Sequence, residues 1–146
     1  MKMKLTAGLV ALSFLAMPVM AQDRISFLIG SNHIGATDDF EENNPGIFLT
    51  WDQITVGAYT NSYGRTSVAA TYALPVFSGD DWSIDVFAGA AYYPVNGDNF
   101  AVHIGEWVPV GGLQARYKNI FAQIIPSDGK AADAIFAFGL TYEINR

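Results

Sequence analysis

The sequence predicts an all-β protein, an eight-stranded antiparallel transmembrane β-barrel of outer-membrane type. Three observations point there. Hydrophobicity alternates with a period of two along most of the chain, as strands require and helices do not. The alternation separates bulky apolar residues from small or neutral-polar ones, where a soluble barrel would separate apolar from charged. Turn signals cut the pattern into eight segments, with short connections at one end and longer ones at the other.

The first 21 residues of the 146 are set aside. Lys2 and Lys4 form a positive start, Leu5 to Val19 an apolar stretch, and Val19-Met20-Ala21 a small-residue cleavage site before Gln22. That is the pattern of a cleaved secretory signal peptide over 1–21, leaving one barrel domain over 22–146. No later stretch is long and apolar enough for a membrane helix. Cysteine is absent, so neither disulfides nor thiolate metal sites are open to the chain.

Strands are expected over 24–33, 45–52, 54–61, 66–76, 82–94, 108–117, 120–126 and 134–144. In the first, Ile25, Phe27 and Ile29 share a face. In the fourth, Val68, Ala70, Tyr72, Leu74 and Val76 oppose Ala69, Thr71, Ala73 and Pro75. The fifth sets Trp82, Ile84, Val86, Ala88, Ala90 and Tyr92 against Ser83, Asp85, Phe87, Gly89 and Ala91. The eighth is the clearest, with Phe136, Phe138, Leu140, Tyr142 and Ile144 against Ala137, Gly139, Thr141 and Glu143. Lipid on the bulky face and a packed interior on the small one account for this division. A closed barrel is also the one way for strands to cross a bilayer without unpaired edges. A soluble lipocalin-type barrel is the alternative architecture. Whether the interior is open or filled by Phe87 and Tyr93 is left undecided by the pattern.

Without Lys2 and Lys4, six basic residues remain against 14 acidic ones, a net charge of about −8 that argues against nucleic acid as a partner. Only 15% of residues are charged while 14% are aromatic, a surface suited to lipid. The expected partners are therefore membrane lipids, the expected location the outer membrane of a Gram-negative bacterium, and the expected state a monomer. No cofactor or metal is expected. The acidic loop holding Asp38, Asp39, Glu41 and Glu42 lacks the spacing of an EF-hand, and His103 with Glu106 reads as loop.

Candidate chemistry centres on Val56–Ser67, VGAYTNSYGRTS, a strand end, a polar turn and the next strand start. Ser62 falls in the second outer loop and His33 at the start of the first, so both sit on one rim. A histidine beside a serine can act as its general base or polarise its hydroxyl. Asn61 and Ser62 are equally ordinary turn formers, and His33 an ordinary loop residue.

Several short segments recur in one order: His33 opening the first outer loop, Phe40-Glu41-Glu42 and Pro45-Gly46, Ala58-Tyr59-Thr60-Asn61-Ser62, then Pro109 and Pro126 near the outer ends of strands six and seven. In these the chain resembles the PagP family of outer-membrane lipid A palmitoyltransferases, over most of residues 22–146. The resemblance implies an enzyme that moves an acyl chain from a phospholipid to lipid A. It implies that His33, Asn61 and Ser62 are catalytic. It also implies that Pro109 and Pro126 mark where lipid enters sideways, because proline donates nothing to the sheet ladder. Ala73, eleven residues after Ser62, falls where the family keeps a glycine at the floor of its acyl pocket, which implies a shorter accepted chain and a longer one for Ala73→Gly. Arg65 is a candidate contact for a lipid phosphate.

Three departures accompany the resemblance. The expected cleavage leaves only Gln22 and Asp23 before the first strand, where the family has an amphipathic helix. Alanine replaces the floor glycine. Asn61 stands where the family has aspartate; its carbonyl can orient a histidine but brings no charge, a change costing on the order of 10⁴-fold in a serine triad. Asp38, Asp39, Glu41 or Glu42 could supply the charge instead. A non-catalytic barrel that stabilises or shields the membrane, and a lipid deacylase using the same residues with water, are the other functional readings.

Overall fold

A computed structural model describes residues 23–127 and 132–144; the expected signal peptide over 1–21 and residues 128–131 lie outside them. The strands are β1 (Arg24–Ile34), β2 (Asn43–Trp51), β3 (Ile54–Thr60), β4 (Thr66–Ser78), β5 (Trp82–Tyr92), β6 (Trp107–Tyr117), β7 (Ile120–Pro126) and β8 (Ala134–Glu143). Each pairs antiparallel with the next, and β1 pairs with β8 from Arg24↔Glu143 to Ile34↔Ala134, closing the barrel. Apart from one short 3₁₀ turn, Gly97–Asn99, the described chain is strand and loop.

The small-residue face points inward. On β5, Asp85, Phe87 and Ala91 are buried while Trp82, Ile84 and Val86 are exposed; on β8, Ala137 and Thr141 are buried while Phe136, Phe138 and Tyr142 are exposed. The outer surface is an apolar belt edged by aromatics. Trp51, Trp82, Tyr117 and Tyr142 ring one end, and Trp107 packs against Tyr92 at the other, ring centroids 5.3 Å apart.

A charged network lies inside the barrel at the end opposite the long loops. Arg116 Nη2 lies 3.0 Å from Asp85 Oδ2, which also accepts from Gln114 Nε2 at 3.2 Å, and Arg116 Nε donates to Ser83 Oγ at 2.9 Å. Arg24 donates from Nε to Thr141 Oγ1 at 2.8 Å and pairs through Nη1 with Glu143 Oε1 at 3.1 Å. Charges inside protein need such partners, because desolvation of an unpaired ion costs several kcal/mol.

Pairing is uneven round the barrel. β5 and β6 pair along their whole length, from Trp82↔Tyr117 to Tyr92↔Trp107. β6 and β7 pair only from Tyr117↔Ile120 to Leu113↔Ile124, so the upper part of their seam lacks ladder bonds. The ladder stops at Gly112, where a Cβ would lie 2.0 Å from the Ile124 carbonyl oxygen, so glycine alone fits the backbone approach there.

Candidate functional site

The turn from Asn61 to Arg65 is built by Asn61. Its side chain is wholly buried, with Oδ1 accepting from the backbone N–H of Tyr63 (2.9 Å) and of Arg65 (3.1 Å), and Nδ2 donating to Ser67 Oγ (2.8 Å). The Gly64 N–H closes the turn onto the Asn61 carbonyl at 2.9 Å, with Gly64 at φ +75°, a conformation that glycine adopts freely. This is an asparagine used as an Asx turn. It presents Ser62 on the rim while its own amide points into the turn.

Ser62 meets His33. His33 Nε2 lies 2.8 Å from Ser62 Oγ, and the histidine is buried. Phe40, from the loop between β1 and β2, stacks on the imidazole with centroids 4.3 Å apart and planes at 21°. The loop itself is pinned to the turn: the Glu41 N–H donates to the Ser62 carbonyl at 2.8 Å, and buried Asn44 donates from Nδ2 to the carbonyls of Glu41 (3.1 Å) and Thr60 (3.0 Å). With the Oγ donating to an unprotonated Nε2, the pair has the geometry of a nucleophile and its base. Glu42 Oε1 lies 4.0 Å from His33 Nδ1 on the far side of the ring.

The space around this pair continues into the barrel. A small pocket of about 30 Å³ touches His33, Phe40 and Ser62, and shares Tyr93, Phe100, Ser127 and Ile135 as walls with a cavity of about 410 Å³ running down the interior. Phe87 and Tyr93 line that cavity without filling it. Its upper walls are apolar, including Leu28, Ala69, Ala91, Val108, Ile125 and Ala137; its lower end reaches Arg24, Asp85, Gln114 and Arg116. Tyr63, Tyr93 and Phe100 form an aromatic collar at the junction, with Tyr93 and Phe100 centroids 4.7 Å apart.

The remaining candidates fall as follows. Ala73 lines the cavity wall beside its ladder partner Phe87, and the space continues beneath it past Pro75 and Asp85. Pro109 and Pro126 are exposed, line the same cavity, and flank the unpaired upper seam between β6 and β7. Arg65 is exposed at the turn, with its backbone N–H and carbonyl bonded to Asn61. His103 is turned away from the pair, its Nδ1 donating to the Gly105 carbonyl at 3.0 Å. Among the described residues no cluster of His, Cys, Asp or Glu is arranged to hold a metal.

Asn44, Ser67 and the Tyr93–Phe100 collar carry no motif that marks them in the sequence. Asn44 sits in Asn43-Asn44-Pro45-Gly46, which reads as a turn, and only its burial shows it to be a brace. No family model matches the chain, and a search of curated proteins finds no significant match.

Proposed function

We propose that this protein is an outer-membrane acyltransferase resembling PagP, which uses Ser62 and His33 to move an acyl chain from a phospholipid to lipid A. The observation that carries the proposal is the 2.8 Å contact between Ser62 Oγ and His33 Nε2 at the mouth of an apolar barrel cavity. The outer belt supports the setting: Phe27, Ile47, Trp51, Ile54, Tyr72, Phe77 and Leu113 are exposed on it, more apolar surface than a soluble monomer presents to water. A bilayer covers such a surface, and the two aromatic edges fit its interfaces.

In the first step, His33 Nε2 takes the Ser62 proton as Oγ attacks the ester carbonyl. The carbonyl carbon–oxygen ester bond breaks, and the proton passes to the departing lysophospholipid hydroxyl. In the second step His33 takes a proton from a lipid A hydroxyl, which attacks the acyl-serine, and returns it to Ser62. The acyl chain occupies the cavity between the collar and the charged network. Pro109, Pro126 and the open β6–β7 seam give it a sideways route from the bilayer.

Water can take the place of the lipid A hydroxyl with the same residues. The pocket of about 30 Å³ beside the pair favours this second reading, since it has room for one water. Mass spectrometry of lipid A and phospholipids from cells carrying the protein, its His33→Ala form, or neither tests both. Lipid A gaining an acyl chain marks the transferase, and lysophospholipid with free fatty acid marks the hydrolase. Identical lipids in all three cultures favour the non-catalytic barrel.

A further inference from the structure

His33 carries an unmet requirement. Its Nδ1 is buried and, among the described residues, has no hydrogen-bond partner. A base that becomes imidazolium needs a group on that side to fix its tautomer and face its charge. Asn61, whose place in the sequence suggested that role, is engaged with Ser67, Tyr63 and Arg65. The carboxylate facing Nδ1 belongs to Glu42, 4.0 Å away.

Glu42 is held there by the histidine's own strand. Its Oε1 accepts from the His33 backbone N–H at 3.2 Å and from Asn32 Nδ2 at 3.3 Å, and its carbonyl accepts from the Ser31 N–H at 3.0 Å. Phe40 covers the ring face, so the imidazole can rotate little, and a shift of about 1 Å brings Oε1 within hydrogen-bond reach of Nδ1. Catalytic hydrogen bonds often close by that much when substrate binds. The Glu42 side chain is half exposed, so lipid over the rim would strip it of water and strengthen its attraction to the imidazolium.

We infer that Glu42 is the positioning carboxylate of the His33–Ser62 pair, completing Ser62–His33–Glu42 in place of the aspartate that Asn61 replaces. The inference rests on the acyl-transfer reading of the site. Its test is steady-state acyl transfer or hydrolysis by the folded barrel in phospholipid vesicles, comparing wild type with Glu42→Gln, Glu42→Ala, His33→Ala and Ser62→Ala. Glu42→Gln keeps size and an acceptor oxygen but removes the charge. It should lower kcat on the order of 10²–10⁴-fold with KM within about twofold. A second readout needs no turnover: with phospholipid bound to Ser62→Ala, nitrogen-15 NMR of the His33 ring should show an Nδ1–H bonded to an acceptor, and the added Glu42→Ala change should abolish it. A Glu42→Gln kcat within about twofold of wild type, with His33→Ala inactive, overturns the role of Glu42 and leaves the acyl-transfer reading standing. Full activity in His33→Ala overturns both.

Discussion

On the proposed acyl-transfer function, replacing Ala73 by phenylalanine should shorten the accepted acyl chain by about four carbons. Ala73 pairs with Phe87, and Pro75, two residues lower on β4, pairs with Asp85 of the charged network. Both alanine and proline line the cavity, so the space now extends from the Ala73 level down to that network. Two strand residues at about 3.3 Å each, on strands tilted by about 40°, span about 5 Å of depth. A methylene in an extended chain advances about 1.3 Å, given a carbon–carbon bond near 1.5 Å at a tetrahedral angle, and 5 Å is then about four methylenes. A phenyl ring at position 73 closes that depth. The assay offers vesicles of phospholipids of graded chain length and identifies the transferred or released acyl chains by mass spectrometry. An unchanged chain-length distribution, from a variant that folds, would refute the placing of the chain in this cavity. Ala73→Gly should leave the distribution nearly unchanged, because the space already continues past Ala73, whereas the family resemblance implied a floor there and hence a longer chain.

Two further outcomes follow from the same geometry. Because Nε2 must be unprotonated to take the Ser62 proton, and burial holds the His33 imidazole below the usual histidine range despite the Glu42 carboxylate, activity should persist through that range and fall as pH drops below it; a rate already lost within or above that range would contradict the role of His33. Asp85→Ala leaves the Arg116 charge inside the barrel without its partner and should cost about 3–5 kcal/mol in urea unfolding from vesicles, whereas Asp85→Leu with Arg116→Met should recover most of it.

The barrel was legible because its interior and exterior make different demands at alternate residues. That demand repeats along β4, β5 and β8, and it survives in a single sequence. Strand ends fell within two residues of those expected, with β2 and β4 running two residues longer, at Asn43 and Ser78. The nearness of His33 and Ser62 was also legible, since antiparallel order puts both on one rim. What the sequence did not disclose depends on closure and on local turns. Arg24 and Thr141 are 117 residues apart and meet because β1 pairs with β8. Asn61 stands beside Ser62 where the resembled family has aspartate, yet the turn folds around its amide. Glu42 was one of four acidic residues in the first loop with nothing in the spacing to single it out. It is distinguished by the register irregularity between Leu28 and Gly30, beyond which Gly30 pairs with Asn43 and Ser31 bonds to Glu42.

The most direct test of the central claim is mass spectrometry of the lipids of cells that carry the wild-type barrel, its His33→Ala form, or its Ser62→Ala form. The account predicts an added acyl chain on lipid A, with matching lysophospholipid, in the wild type alone. The same lipid A and phospholipid profile in all three strains, with each barrel folded in the outer membrane, would contradict it.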